Sequence, residues 1–154
     1  MYPHKYIGVF FDSSKKLIGV PCGQNQFGAV ELDIFFTLEP GCSDDELEEF
    51  ITTVLDACYS KEYMPDEPTA MQKYTGIKSP ITAEKNHGFI AIDWLQAKDY
   101  TFYPMKPNKG NRGGYIGING IVLNVPVSYE KGALALAFRH ALKVAYEHTF
   151  WKPK

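Results

Sequence analysis

Residues 43–58 of this chain have the sequence Ser-Asp-Asp-Glu-Leu-Glu-Glu-Phe-Ile-Thr-Thr-Val-Leu-Asp-Ala-Cys, which indicates an amphipathic helix. Ser43 and Glu46, three residues apart, match a capping box, in which each side chain bonds the other residue's backbone amide. Apolar residues then recur at intervals of three and four, which places them on one stripe of a helix. They are Leu47, Phe50, Ile51, Val54, Leu55 and Cys58. We therefore predict a helix over about residues 43–59 with one face in the core.

The other face of this helix is acidic and carries no lysine or arginine. Its members are Asp44, Asp45, Glu48, Glu49, Thr52 and Asp56, and the next loop adds Asp66 and Glu67. An ordinary solvated helix mixes charge signs, because opposite charges at i and i+4 stabilise it. A face of one sign instead speeds association with an oppositely charged partner. A solubilising surface is one interpretation, and the sharper hypothesis is that these eight residues dock a basic protein.

Charge is distributed unevenly along the 154 residues, although the net charge is only −2. Residues 31–70 contain 12 carboxylates and one lysine, for a net charge of −11. Residues 71–154 contain 12 lysines and arginines and five carboxylates, for a net charge of +7. The near-neutral total therefore predicts two surfaces of opposite sign. A chain of this length is typical of one domain, which we place over residues 1–154.

The segments on both sides of the acidic helix predict a sheet. Short apolar runs at 6–11 and 17–21 flank a polar turn, as in a hairpin. Residues 29–37 alternate apolar and polar side chains, which predicts a half-buried strand. Residues 88–95 and 100–103 indicate two neighbouring strands. Antiparallel pairing is expected, because the connections are short.

The remaining segments complete an α+β pattern. Residues 60–86 predict an extended loop with at most a short helix at 69–74. The pair Asn119-Gly120 predicts a hairpin turn, with one long kinked strand as the alternative. A second amphipathic helix is expected over about 129–147, with Ser128 as its N-cap. We predict a mainly antiparallel sheet of about six strands, with the acidic helix and the C-terminal helix packed on it.

The cysteines do not suggest catalysis. Cys22 follows a strand, and His87 and Asp93 are candidates to activate it. Nothing local supplies the positive field that a reactive thiolate needs, so a buried or incidental thiol is the favoured interpretation. The three cysteines, at 22, 42 and 58, form no close pair, which favours reduced thiols in a cytoplasmic protein over a zinc or disulfide framework.

No metal, cofactor or membrane signature is present in the sequence. His140 and His148 are eight residues apart, whereas a helical metal site needs a spacing of three or four. The first apolar run ends at Asp12, too early for a signal peptide, and the longest uncharged stretches contain proline, glycine and amides. We expect a cytoplasmic protein without a cofactor, a metal site or enzymatic activity.

A basic, glycine-rich loop at 106–114 supports an alternative hypothesis. Its cations, Lys106, Lys109 and Arg112, suggest binding of phosphate or nucleic acid. The phosphate-binding P-loop pattern also requires a Lys-Ser or Lys-Thr pair that leads into a helix, and neither follows here. An isoelectric point near 6.1 does not favour a nucleic-acid partner.

Four later segments resemble the immunity proteins of bacterial contact-dependent growth inhibition systems. They are Lys-Tyr-Thr-Gly-Ile-Lys-Ser at 73–79, Gly-Phe-Ile-Ala-Ile at 88–92, Ile-Val-Leu-Asn-Val-Pro at 121–126, and the stretch at 129–142 that opens with Glu130, Gly132 and Ala133. The resemblance covers about residues 70–145. It implies a small, non-enzymatic α+β protein that binds the C-terminal domain of its cognate toxin, often a nuclease. The hypothesis that follows is neutralisation of a basic toxin domain through the acidic surface.

Overall fold

The computed structural model describes residues 3–108 and 113–150 of the chain. The strands are β1 (His4–Phe11), β2 (Leu17–Asn25), β3 (Gly28–Glu31), β4 (Phe36–Leu38), β5 (Gly88–Leu95), β6 (Asp99–Pro107), β7 (Tyr115–Gly117) and β8 (Leu123–Pro126). The helices are α1 (Asp44–Asp56), α2 (Ala70–Thr75), α3 (Pro80–Glu84) and α4 (Ala133–Phe150). The predicted α+β class is confirmed.

The strands form an antiparallel sheet with β1 and β5 at its centre. The order is β3-β2-β1-β5-β6-β7, while β4 also pairs with β2 and β8 with β6. The hairpin predicted from the N-terminal apolar runs is confirmed, with Ile7 opposite Pro21 and Phe11 opposite Leu17. Because strands flank β1 on both edges and helices cover both of its faces, residues 7–11 are all buried.

The sheet has a large core on one face and a smaller one on the other. Alternate side chains of β1, Ile7, Val9 and Phe11, pack beneath α1 and α4. Phe10 points to the opposite face, where α2 contributes Ala70 and Met71 and α3 contributes Ala83. Each fully buried large apolar side chain contributes roughly 1.5–3 kcal/mol, so the α1–α4 face carries most of the hydrophobic stabilisation.

Helix α1 forms where the sequence predicts it. The hydroxyl of Ser43 accepts from the Glu46 amide at 3.1 Å, and the Glu46 carboxylate accepts from the Ser43 amide at 2.9 Å, so the capping box is complete. The predicted apolar stripe is buried, from Leu47 to Cys58. The capping box thereby fixes where the acidic residues lie relative to the core.

The predicted strand over 29–37 is wrong as a continuous element. It divides into β3, which pairs with the end of β2, and β4, which pairs with its beginning. Between them Leu32 and Asp33 are both buried, although alternation had placed Asp33 on a solvent face. The departure has a polar cause, because two lysines hold the Asp33 carboxylate inward at 2.6 and 2.7 Å.

The predicted start of the C-terminal helix is also wrong. Helix α4 begins at Ala133 rather than near 129, and Ser128 is not its N-cap. Gly132, with a φ of +94°, stands immediately before the helix, and its carbonyl accepts from the Leu136 amide at 2.9 Å. Glycine has no side chain to cap a helix, so the first amides of α4 need a partner from elsewhere.

The Asn119-Gly120 turn forms, but its flanking strands do not pair with each other. Both residues have positive φ, and the Ile121 amide donates to the Ile118 carbonyl at 2.8 Å, as a tight turn requires. β7 and β8 instead lie along successive parts of β6. The alternative of one interrupted strand therefore describes the edge better than a hairpin.

The loop predicted over 60–86 contains the short helix expected there and a second one. Helix α2 is closed at its start by a capping box between Thr69 and Gln72. Helix α3 was not predicted, although Ser79 as N-cap and Pro80 in the first turn are recognisable start signals. Together these two helices cover the second face of the sheet.

Candidate partner-binding surface

Helix α4 runs beside α1 and meets the first turn of its acidic face with cations. Arg139 Nε donates to Asp44 Oδ1 at 3.0 Å, and the same guanidinium donates to the Cys42 carbonyl at 2.9 Å. Lys131 Nζ lies 3.4 Å from Asp45 Oδ2. Both carboxylates remain more than half exposed. Part of the predicted acidic surface is therefore neutralised within the protein.

Glu48 has a different environment from the one predicted. Its side chain is buried, and its two oxygens accept from the Gly132 amide at 3.1 Å and the Ala135 amide at 2.9 Å. The carboxylate of one helix thus caps the N-terminus of another, where the helix dipole favours a negative charge. The expectation that Glu48 lies on an exposed face is wrong, because the bare N-terminus of α4 requires this acceptor.

The opposite edge of α1 faces β4 and keeps its carboxylates in solvent. Glu49 is exposed and forms no ion pair with any residue in the described ranges. A groove of about 310 Å³ separates this edge from β4. It is lined by Phe36, Thr37, Leu38, Glu46, Glu49, Phe50 and Thr53, which we call the β4–α1 groove. Carboxylates on an apolar floor suit a partner segment that is both basic and apolar.

The last turn of α1 contributes Thr52 and Asp56. The Thr52 hydroxyl donates to the carbonyls of Glu48 and Glu49 at 3.1 and 3.0 Å, so it is satisfied by its own helix. Asp56 is 82% exposed and lies 3.9 Å from Lys5, at the outer limit of an ion pair. Such an exposed, long contact contributes little energy and leaves the charge available.

The loop after α1 carries Asp66 and Glu67, and both are exposed. Neither carboxylate is within ion-pair distance of a cation in the part of the chain that the structure describes. The lysine that the sequence places between them and α1, Lys61, turns inward to Asp33. The acidity of this loop is thus greater in the structure than a count of charges indicates.

Two carboxyl groups near this loop, the buried Asp33 and the half-buried Glu31, have pKa values shifted in opposite directions. Lys61 and Lys73 hold the pKa of Asp33 down at about 2, although partial burial opposes them. Burial, together with the neighbouring charge of Glu84, raises the pKa of Glu31 to about 7. Alternation had assigned both residues to a polar strand face, and neither is solvated in that way.

The basic loop is described only in part. Lys106 lies in β6 opposite Ile116, half-buried, and Lys109 and Arg112 lie outside the described residues. A cavity of about 380 Å³ is lined beside the loop by α3 and by the ends of β6 and β7. Tyr115 lines this cavity, and its hydroxyl donates to the carbonyls of Glu84 and His87, at 3.1 and 2.9 Å. Lys106 is not among the lining residues.

The combination of Cys22, His87 and Asp93 does not assemble. Cys22 follows Pro21, which pairs with Ile7 near the start of β1. His87 precedes Gly88, which pairs with Phe11 at the other end of β1. The His87 Nδ1 lies 3.1 Å from the carbonyl of Lys85. Within residues 3–108 and 113–150, no group of three or more histidine, cysteine or acidic side chains is placed to hold a metal ion.

Sequence reasoning missed two tertiary arrangements. The capping of α4 by Glu48 had one readable signal, because Gly132 leaves the helix that follows it without a local cap. The second is the meeting of Cys22 with Cys58, which belong to β2 and to the end of α1. Their spacing of 36 residues carries no signal. Among the described helices, none has the length and apolar character needed to cross a membrane.

Comparison with known proteins shows similarity in structure and not in sequence. No family model and no curated protein matches the chain. NMB0488, a protein of unknown function from Neisseria meningitidis, matches with a TM-score of 0.67 at 12% identity, over 92% of this chain and 94% of that chain. A chain of the CdiA-CT/CdiI toxin and immunity complex from Yersinia pseudotuberculosis matches with a TM-score of 0.63 at 13% identity, over 92% of this chain and 97% of that chain. The fold is shared along almost the whole length.

Proposed function

We propose that this protein is a bacterial immunity protein that binds and neutralises the C-terminal domain of a cognate toxin. The observation that carries the proposal is the fold, which matches a chain of a toxin and immunity complex over 92% of the residues here and 97% there. The resemblance of residues 70–145 to immunity proteins of contact-dependent growth inhibition supports the same function. Inhibition is by stoichiometric binding in the cytoplasm, without catalysis.

The contact surface in this proposal is the part of the acidic region that the fold leaves available. It comprises Glu49, Asp56, Asp66 and Glu67, and the β4–α1 groove, of which Glu49 is a lining residue. Asp44 and Asp45 lie at its margin, since Arg139 of α4 and Lys131, just before α4, already match their charges. Thr52 and Glu48 are not part of this surface, because Thr52 hydrogen-bonds within α1 and Glu48 caps α4. A toxin domain with lysine and arginine around an apolar side chain complements this surface, and a nuclease presents such cations to its phosphate substrate.

Co-expression with the toxin domain encoded beside the gene tests the function. Cells that make both proteins should survive, and the two should co-purify in equal amounts at low salt. Absence of both protection and co-purification would refute the proposed function.

Charge reversal tests the surface separately. The variant with Glu49→Lys, Asp56→Lys and Glu67→Lys should associate roughly tenfold more slowly at low salt, with a smaller change in the dissociation rate. The matched control reverses Glu130 and Glu147, which are exposed acidic residues outside the proposed surface. An unchanged association rate in a pair that still protects cells would remove this surface from the proposal and leave the function intact.

A further inference from the structure

The end of α1 is held against β1 and β2 by a cluster of short contacts. The Tyr59 amide donates to the Cys22 carbonyl at 2.9 Å, and the Tyr59 hydroxyl donates to the His4 carbonyl at 3.0 Å. The Cys58 thiol donates to the Tyr6 carbonyl at 3.3 Å, and its sulfur accepts from the Cys22 amide at 3.5 Å. The Cys58 sulfur therefore lies directly against the backbone of Cys22, and the residue after Cys58, Tyr59, is hydrogen-bonded to that same backbone.

The two thiols also interact with each other. The Cys58 thiol has a single proton, so at any one time it donates either to the Tyr6 carbonyl or to the Cys22 sulfur. Donation to the Cys22 sulfur lowers the pKa of Cys22 and raises that of Cys58. The sulfur of Cys22 thus gains thiolate character, which is the reactive form in oxidation. Both side chains are buried, so a small, uncharged oxidant suits this site better than a bulky thiol reagent.

We propose that Cys22 and Cys58 are a site of oxidative modification at which hydrogen peroxide forms an intramolecular disulfide. The Cys22 sulfur attacks one peroxide oxygen and becomes a sulfenic acid, and the hydroxide that leaves takes up a proton as water. The Cys58 sulfur then displaces the sulfenic hydroxyl as a second water, and the S–S bond forms. Two thiols lose two electrons and two hydrogens, and one peroxide becomes two waters. The crosslink closes a loop between β2 and the end of α1.

The third cysteine provides an internal control. Cys42 precedes α1, and the 13 residues of that helix separate it from Cys58 by about 20 Å. Its carbonyl accepts from Arg139, on the α4 side of the fold. Cys42 therefore cannot bridge to Cys58 without unfolding, and any disulfide between those two would report a rearranged chain.

Mass spectrometry of the full chain tests the site. A Cys42→Ser protein is treated with hydrogen peroxide at neutral pH, then denatured and alkylated. We expect a loss of 2 Da, no alkylated cysteine, and a linked pair of peptides that contain Cys22 and Cys58. Closure of this loop should raise the melting temperature by roughly 5–15 °C, reversibly with dithiothreitol.

Single-thiol variants separate the disulfide from general oxidation. Adding Cys58→Ser to Cys42→Ser should leave a sulfenic acid at Cys22, which dimedone captures when it is added together with the denaturant, and should give no rise in melting temperature. The untreated wild type should show rapid native labelling of one thiol, that of the partly exposed Cys42. The proposal would be overturned if Cys22 and Cys58 of the Cys42→Ser protein were both alkylated after a peroxide treatment strong enough to oxidise Cys42 in the wild type. A disulfide that formed only in urea would also overturn it. The result is independent of toxin binding.

Discussion

The two long edges of α1 carry the same kind of side chain and use it differently. On the α4 edge, Asp44 contacts Arg139 and Glu48 caps the N-terminus of α4. On the β4 edge, Glu49 remains in solvent beside an apolar groove. The neighbouring element accounts for the difference, because α4 presents cations and unpaired amides while β4 presents apolar side chains. A run of one charge sign along a sequence is therefore not by itself an exposed electrostatic field.

The charge division along the chain has a related explanation. Part of the acidic excess of residues 31–70 meets part of the basic excess of residues 71–154 across the α1–α4 contact, through Lys131 and Arg139. Lys73 likewise reaches back to Asp33. The proposed docking surface consists of the carboxylates that remain after these internal pairs. Experiments that remove charge from one edge of α1 at a time test whether the two edges differ in this way.

The largest effect is expected from Glu48→Ala. This change leaves the Gly132 and Ala135 amides without an acceptor, so the free energy of unfolding should fall by about 2–4 kcal/mol. Glu48→Gln keeps an acceptor without the charge and should fall between the wild type and the alanine variant. Urea unfolding followed by circular dichroism measures both.

The matched control for that change is Glu49→Ala, on the other edge of the same helix turn. Its side chain is exposed and makes no ion pair in the described residues, so unfolding should change by less than about 0.5 kcal/mol. Equal losses from the two variants would contradict the assignment of Glu48 to the α4 cap.

A smaller effect is expected from pH, through Asp33 and Glu31, the two carboxyl groups with shifted pKa values that precede α1. Because the pKa of Asp33 is about 2 when folded and near 3.8 otherwise, its contribution is complete above pH 4 and is lost as the pH falls to 2. Because the pKa of Glu31 is raised from 4.5 to about 7, its protonated form is favoured by folding, and stability is lost as the pH rises from 4.5 through 7.

Urea unfolding between pH 2 and 8 measures both arms, each about 1–3 kcal/mol. Asp33→Asn should reduce the loss on the acid side, and Glu31→Gln should reduce the loss on the neutral side. The difference from wild type isolates each group from other titrations. An acid arm that survives in Asp33→Asn would show that the two lysines do not stabilise its charge.

The smallest effect is expected from the exposed pair of Asp44 and Arg139. A double-mutant cycle with alanine at each position should give a coupling of about 0.3–1 kcal/mol, since solvent screens both groups. The coupling should shrink in 1 M salt, whereas the effect of Glu48→Ala should persist, because that carboxylate is buried. A coupling energy that did not change in 1 M salt would show that solvent does not screen this pair, as for a buried contact.

Much of the fold follows from local signals. The capping box at Ser43 and the apolar stripe after it predict α1, and the alternating runs predict the central β1–β2 and β5–β6 pairs. The capping and periodicity signals are strong because the residues that cap each element, or that pack into the core, lie within or directly beside that element. The second half of the chain depends more on contacts between distant residues. Its sheet edge, formed by β7 and β8, depends on pairing with β6, which no turn signal in the sequence predicts.

The candidate surface was predictable in composition but not in exposure. The sequence identifies which residues of α1 face away from the core, since periodicity separates the two faces. It does not show which neighbour covers that outer face. The cap from Glu48 to α4 joins residues 84 apart, and the thiol contact joins residues 36 apart. Neither separation has a periodic pattern to reveal it.

The class of the fold, the position of the acidic helix and the sign of its outer face follow from the sequence, because propensity, capping and periodicity act between residues a few positions apart. Which of those acidic residues are used internally follows only from how the distant elements pack. That choice depends on where the N-terminus and cations of α4 come to lie, and packing of distant elements sets this geometry. The carboxylates left in solvent are the ones that form the proposed docking surface.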